Sequence, residues 1–279
     1  MERAPAALSV DIVTEFPGMV SGYLSESMLG RAARKGAVTF RIVNPRDFTE
    51  DRHHSTDDRP YGGGPGMVML ADPLVRAVES VATPESKILL MTPSGKPFVQ
   101  ADARRLSREK HLVFVCGHYE GIDDRVRQIL RPEEISIGDF VLTNGAIAAA
   151  CVIDAAVRLL PGVLGGEGAT EDESFETGLL DFPQFTHPPE YRGLKVPEVL
   201  QRGNHALIKA WRRQEAERIT LERRPDLAAK MGLPRPPPPP KRARRRRPPS
   251  ETRSAPSHLP RTVQTENATT PDQSQGTET

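Results

Sequence analysis

The stretch Lys87-Ile88-Leu89-Leu90-Met91-Thr92-Pro93-Ser94-Gly95-Lys96-Pro97 opens on an apolar run and closes on turn residues. A short apolar run bounded in this way predicts a strand buried on both faces, over Lys87 to Thr92, ending in a turn at 93–97. The pattern recurs in His111 to Cys116, which runs into Gly117-His118-Tyr119-Glu120-Gly121. It recurs again in the short run Glu134 to Ile137, which meets Gly138. Upstream, Leu8 to Thr14 and Val38 to Val43 read as two further strands. Asp72-Pro73 predicts a helix start, with Asp72 as N-cap, Pro73 in the first turn, and Leu74, Val75 and Val78 as the apolar stripe. Strands alternating with helices predict an α/β class: a mostly parallel sheet with helices on both faces.

The helix predicted from Ala146 to Leu160 is apolar on every side except at Asp154 and Arg158, so it must be largely buried. Those two charges stand at i and i+4, on one face. Two readings follow: an internal ion pair, or an arginine at the helix end that projects into a site. Pro161 to Pro189 then has little periodicity, and a loop this long inside a folded chain is a linker, a lid or a binding loop. Asn204 begins a helical stretch carrying Leu207, Ile208, Trp211 and Ile219 among Lys209, Arg212, Arg213 and Arg218. From Met231 the chain holds the run Pro236 to Pro240, then Lys241-Arg242-Ala243-Arg244-Arg245-Arg246-Arg247, then mostly Ser, Thr, Pro and Gln. Such a composition cannot bury enough apolar surface to offset its ordering entropy, which predicts a disordered tail.

The net charge of +1 over 279 residues hides an asymmetry. Residues 1–202 carry a net −7, residues 203–230 a net +3 and residues 231–279 a net +5. Basic charge therefore gathers at the C-terminal end, where a polyanion can be gripped. The two cysteines, Cys116 and Cys151, are far apart and in no metal-ligand spacing, which argues against a disulfide framework. The first nine residues lack the apolar run of a signal peptide, and no stretch approaches the roughly 20 apolar residues of a membrane span. A soluble, cytoplasmic protein is expected, with no membrane partner.

Three glycine-containing turns follow strands, at 93–97, 117–121 and 138–145. In parallel sheets, ligands bind where strand C-termini and their loops converge. None of the turns has a dinucleotide or P-loop spacing, so together they predict a small-molecule site of another kind. The densest polar stretch runs from Asp51 to Met67, with Gly62-Gly63-Gly64-Pro65-Gly66 inside it. Its charge, histidines and Tyr61 suit contacts to phosphates and base edges. His53 and His54 are adjacent, and adjacent side chains on an extended backbone point apart, which speaks against a shared metal.

These segments together resemble the bacterial tRNA (guanine-N1)-methyltransferase family. The likeness is carried by Asn44-Pro45-Arg46-Asp47-Phe48-Thr49, by Asp57 to Met67, and by Gly117-His118-Tyr119-Glu120-Gly121-Ile122-Asp123. It continues in Ser136 to Thr143, Pro161 to Gly165, Ser174-Phe175, Gly178 to Asp181 and Val196 to Leu200, covering about residues 8–230. The resemblance implies transfer of a methyl group from S-adenosylmethionine to N1 of the guanosine just 3′ of the anticodon. It implies a deep trefoil knot of the SPOUT type, and a homodimer whose active sites are each built from both subunits. Whether a magnesium ion (Mg2+) assists is left open. The implied domains are a knotted cofactor-binding domain at 1–165, a lid or linker at 166–189, a helical tRNA-binding domain at 190–230 and the tail at 231–279.

On matching positions, the implied cofactor contacts are Met91, Thr92, Pro93, Ser94, Gly117, Tyr119, Glu120, Ile137, Gly138, Asp139, Phe140, Val141 and Leu142. The arginine near the target base falls on Arg158. The general-base aspartate of the family falls on Glu173, one methylene longer, with Asp172 beside it as the competitor. A second departure is Thr143-Asn144-Gly145-Ala146, where the family usually has Thr-Gly-Gly-Glu. Two rival readings are a related knotted enzyme acting on a ribose 2′-hydroxyl and an RNA-binding protein without catalysis.

Overall fold

The structure is a computed structural model that describes residues 7–165 and 173–234. All of these lie in one compact unit, Met1–Arg235. The elements, in chain order, are β1 (Leu8–Val13), α1 (Gly18–Ser25), α2 (Ser27–Arg34), β2 (Val38–Val43), a 3-10 turn (Pro45–Phe48), β3 (Asp57–Asp58), β4 (Val68–Met69) and α3 (Ala71–Glu79). They continue as β5 (Lys87–Pro97), α4 (Gln100–Leu106), β6 (His111–Cys116), α5 (Asp124–Leu130), β7 (Glu133–Ser136) and α6 (Ala146–Val157). The last are β8 (Glu190–Tyr191), β9 (Leu194–Lys195), α7 (Glu198–Gln201), α8 (His205–Arg223) and α9 (Pro225–Lys230).

Five strands form the main sheet in the order β2-β1-β6-β5-β7, and every pairing is parallel. Side chains of β6 alternate between two cores. Leu112, Phe114 and Cys116 join α1, α2 and α6 on one face, while Val113 and Val115 join α3 and Val126 of α5 on the other. A strand covered on both sides has no polar face, which is why it reads as an unbroken apolar run. The predicted α/β class, with helices on both faces, is what the chain adopts.

Three local expectations are corrected. α3 starts at Ala71 with Leu70 at the cap position, so Asp72 and Pro73 lie inside the first turn rather than opening it. Asp72 faces Arg76 at 3.6 Å instead of capping. The second correction concerns the expected turn at 93–97, which is an excursion within a strand. Met91 and Lys96 both pair with Ile135 of β7, so residues 92–95 bulge out and the strand resumes. Gly95 permits this, because a Cβ there would sit 2.4 Å from the Ile135 amide nitrogen. Third, α6 ends at Val157, leaving Arg158 as its C-cap and not as a residue of its last turn.

Candidate functional site

The C-terminal ends of β5, β6 and β7 open into a cleft of about 200 Å3. The bulge of β5 supplies Met91, Thr92 and Pro93, and the turn after β6 supplies Gly117, Tyr119 and Glu120. The segment after β7 supplies Ile137, Gly138, Phe140, Val141 and Leu142. Eleven of the thirteen expected cofactor residues thus line one cavity. Ser94 and Asp139 do not. The Ser94 hydroxyl turns toward Thr92 Oγ1 at 3.0 Å and Glu134 Oε2 at 3.4 Å, and Asp139 is exposed outside the lining.

Two turns are stitched together at the cleft floor. The amide of Gly145 donates to the Gly117 carbonyl at 2.8 Å, and His118 and Asn144 form an isolated bridge. Asn144, one of the departures, has a structural explanation. Its Oδ1 accepts from the Ala146 amide at 2.9 Å, satisfying a free donor at the start of α6 as a capping side chain does. Gly138 has φ near +150, a region L side chains rarely adopt, and a Cβ there would meet the Phe140 ring at 2.6 Å. The walls are thus a mixture of apolar side chains and close-approaching backbone, which suits a ligand with a flat apolar ring and a polar backbone-seeking end.

Sequence reasoning missed Arg127 and Ser136 in the lining, while His118 and Thr143 lie in the turns expected to form the site without having been named as contacts. Arg127 of α5 lines the cleft and holds Glu134 of β7 at 3.2 Å, a placement that no motif announces. Beside the cleft, burial pushes the Tyr119 hydroxyl up to about 12, and the carboxylates of Glu15 and Asp57 add to the shift. Glu15 is itself buried, with Arg46 3.3 Å away. Arg46 also donates to the His54 carbonyl, so this pair ties the 44–56 loop to the end of β1. The polar stretch 57–67 docks alongside: the Glu120 amide donates to the Met67 carbonyl and the Met69 amide to that of Gly121. Tyr61 at its tip is fully exposed.

The two expected catalytic groups meet each other, but not the cleft. Arg158 and Glu173 form a bidentate pair, with Nη1 to Oε2 at 2.6 Å and Nη2 to Oε1 at 2.5 Å. Of the two readings of Arg158, the internal pair with Asp154 gives way to this one. Asp154 instead accepts a hydrogen bond from the Tyr23 hydroxyl. The Arg158 guanidinium holds the Glu173 carboxyl below its ordinary value of 4.5. Neither residue lines the cleft. Asp172, the competing carboxylate, lies outside the described residues, as do Glu171, Gly166 and Gly168. Glu176 is anchored too, by Gln100 at 2.9 Å and by Arg104. Glu173 and Glu176 are thus both anchored to the body of the chain.

A depressed Glu173 pKa means the pair is intact above pH 4.5 and is lost as pH falls through the lowered value. Arg158→Ala removes the cause, so the Glu173 carboxyl returns toward 4.5, measurable by NMR titration of labelled glutamate side chains. A Glu173 value that stays low in that variant contradicts the pairing.

A family model described as tRNA (Guanine-1)-methyltransferase TrmD matches residues 8–230. The chain belongs to this family. Relatives called tRNA (guanine-N(1)-)-methyltransferase agree. The protein of Geobacillus kaustophilus is 51% identical over 222 residues, 79% of this chain and 91% of its own. That of Carboxydothermus hydrogenoformans is 51% identical over 226 residues, 81% and 89% of the two chains. That of Thermomicrobium roseum is 54% identical over 226 residues, 80% and 84%. The TrmD match spans β1 through α9, so the cleft, the Arg158–Glu173 pair and the basic helix α8 all fall inside it. Among the described residues no helix is long and apolar enough to cross a membrane, and no three His, Cys, Asp or Glu side chains gather as a metal site.

Proposed function

We propose that the chain is a tRNA (guanine-N1)-methyltransferase that uses S-adenosylmethionine and modifies the guanosine 3′ of the anticodon. The observation that carries this reading is the cleft, in which eleven residues expected to hold the cofactor converge in a chain of the TrmD family. When bound, S-adenosylmethionine supplies an electrophilic methyl group that already carries its thioether leaving group. The turns at 117–121 and 138–145 would hold it through backbone groups, with Met91, Ile137 and Leu142 as apolar wall. Guanine N1 carries a proton that leaves as the N1–carbon bond forms. The Glu173 carboxylate accepts that proton. Negative charge building on O6 is met by the Arg158 guanidinium. No residue set is assigned to magnesium.

A base tied to its arginine accepts protons poorly, so Glu173 and Arg158 separate, or share the substrate between them, when RNA binds. Neither lines the cleft of its own chain, which supports a homodimer with each active site drawn from two subunits. An exposed apolar face is present for it, formed by Met19 and Tyr23 of α1 with Ile147 of α6. The trefoil knot belongs to the same reading, supported by the return of 138–145 across the ends of β5 and β6. So does the division into a catalytic part at 1–165, a joining segment at 166–189 and an RNA-holding part at 190–230, as does a cytoplasmic location.

Mass spectrometry of nucleosides from treated tRNA tests the function: 1-methylguanosine is expected. A ribose-methylated nucleoside supports the rival 2′-hydroxyl enzyme, and no methylation supports an RNA binder. For the dimer, Arg158→Ala subunits are mixed with Gly138→Val subunits. Partial activity in the heterodimer is expected, because one composite site is intact. A verified heterodimer without activity places both functions in one chain.

A further inference from the structure

A second cavity, of about 630 Å3, lies between residues 182–189 and the face of α8 that carries Ile208, Trp211 and Arg212. Methyl transfer gives it no role. Its walls are unusually aromatic. The rings of Phe185 and Trp211 stand 6.2 Å apart between centroids at 55°, a tilted pair at the cavity wall. Phe185 is 47% exposed, too much for a ring that serves only the core. At the rim, the Arg212 guanidinium lies over the Phe182 ring at 4.7 Å.

The charge on α8 narrows the choice of occupant. Five of its residues are Lys or Arg, but not all of that charge is free. Arg213 is bound to Glu217 at 2.5 Å, and Arg218 to Glu215 and Glu222 at 2.7 and 3.1 Å. Among the described residues Arg212 has no carboxylate within ion-pair distance, so an unneutralised cation stands at the cavity. Two amides complete the rim. Gln201 donates its Nε2 to the Val196 carbonyl at 2.8 Å and Gln184 to Asp181 at 3.4 Å, which leaves both side-chain carbonyls as acceptors.

Accessible aromatic surface at Phe185, acceptors for an exocyclic amine and a cation without a carboxylate partner match an unpaired nucleotide. Single-stranded RNA is held in this way, with bases splayed onto aromatic side chains and phosphates met by arginine. We propose that this cavity receives an unstacked base of the RNA substrate, its ring against Phe185 and Trp211 and its phosphate beside Arg212. The proposal rests on the tRNA reading above and adds a second point of grip, apart from the target guanine.

Trp211 is the only tryptophan in the chain, so its emission reports on this cavity alone. Titrating the full chain with an unmodified tRNA transcript is expected to quench that emission as binding saturates. Phe185→Ala, at a half-exposed position, is expected to keep the melting temperature and to raise KM for tRNA about ten-fold with kcat nearly unchanged. Phe185→Tyr restores the ring and should restore KM, whereas Phe185→Leu should not. Methylation of tRNA without any quench, or a Phe185→Ala variant with wild-type KM, overturns the cavity and leaves the enzyme reading standing. No methylation by the wild-type chain overturns both. Emission that changes with protein concentration in the absence of RNA assigns the cavity to a second copy of the chain, and overturns the proposal.

Discussion

Glu173→Gln is expected to lower single-turnover methylation of tRNA by about 10²-fold or more. The substitution keeps size and hydrogen-bonding capacity but removes the proton acceptor. Guanine N1 then gains a methyl while still holding its proton, which places an uncompensated positive charge on the base. Cofactor and tRNA affinity should change little, since Glu173 does not line the cleft. The variant also loses the charge-assisted pair to Arg158, which the neutral amide meets with a weaker bond. A partial rescue by raising pH is expected, because hydroxide can then take the N1 proton that the missing carboxylate no longer accepts. Asp172→Asn is the matched control and should cost far less. If Asp172→Asn is the inactive variant, the base is Asp172 and the register of the lid is shifted by one.

Gly138→Val is expected to abolish measurable S-adenosylmethionine binding in a chain that still folds. Two independent penalties fall on the same residue. The backbone is at φ near +150, which a β-branched residue does not adopt without strain. A Cβ also collides with Phe140, whose ring forms part of the cleft wall. The strain is relieved by re-routing 138–142, and that segment supplies four of the cleft-lining residues expected to hold the cofactor, next to Ile137. The Ser136 hydroxyl bonds both the amide and the carbonyl of Gly138 and will be disturbed, but Ile135 and the rest of the sheet core lie outside the turn, so the thermal transition should survive. Calorimetry with S-adenosylmethionine reads the loss. Unchanged affinity would move the cofactor site elsewhere.

The sheet was legible because its strands are buried on both faces. Val38–Val43 and His111–Cys116 have the predicted bounds, and β1 and β7 differ from theirs by single residues. Where prediction failed, a local signal was outvoted by a distant one. Thr92-Pro93-Ser94-Gly95 has every mark of a terminating turn, yet β7 lies near enough to re-pair the chain at Lys96. Asp72 has the side chain of an N-cap, but Pro73 tolerates any position in a first turn, so the helix could begin earlier. The net charge of the basic helix was legible, but which arginines Glu215, Glu217 and Glu222 take up was not, because the sum does not assign them to particular partners.

What the sequence determined by itself was the class of fold, the strands, the family and most of the residues that line the cleft, since those depend on local apolar periodicity and on motifs read whole. The pairing of charges was decided only by tertiary structure. The i, i+4 spacing offered Arg158 to Asp154, but Tyr23, 131 residues away, takes Asp154, and Glu173, 15 residues on, takes Arg158. Spacing along a helix says which groups can meet. It cannot rank them against a competitor brought in by the fold, and a bidentate carboxylate outcompetes a single-face neighbour because its two short, charge-assisted bonds match the planar guanidinium.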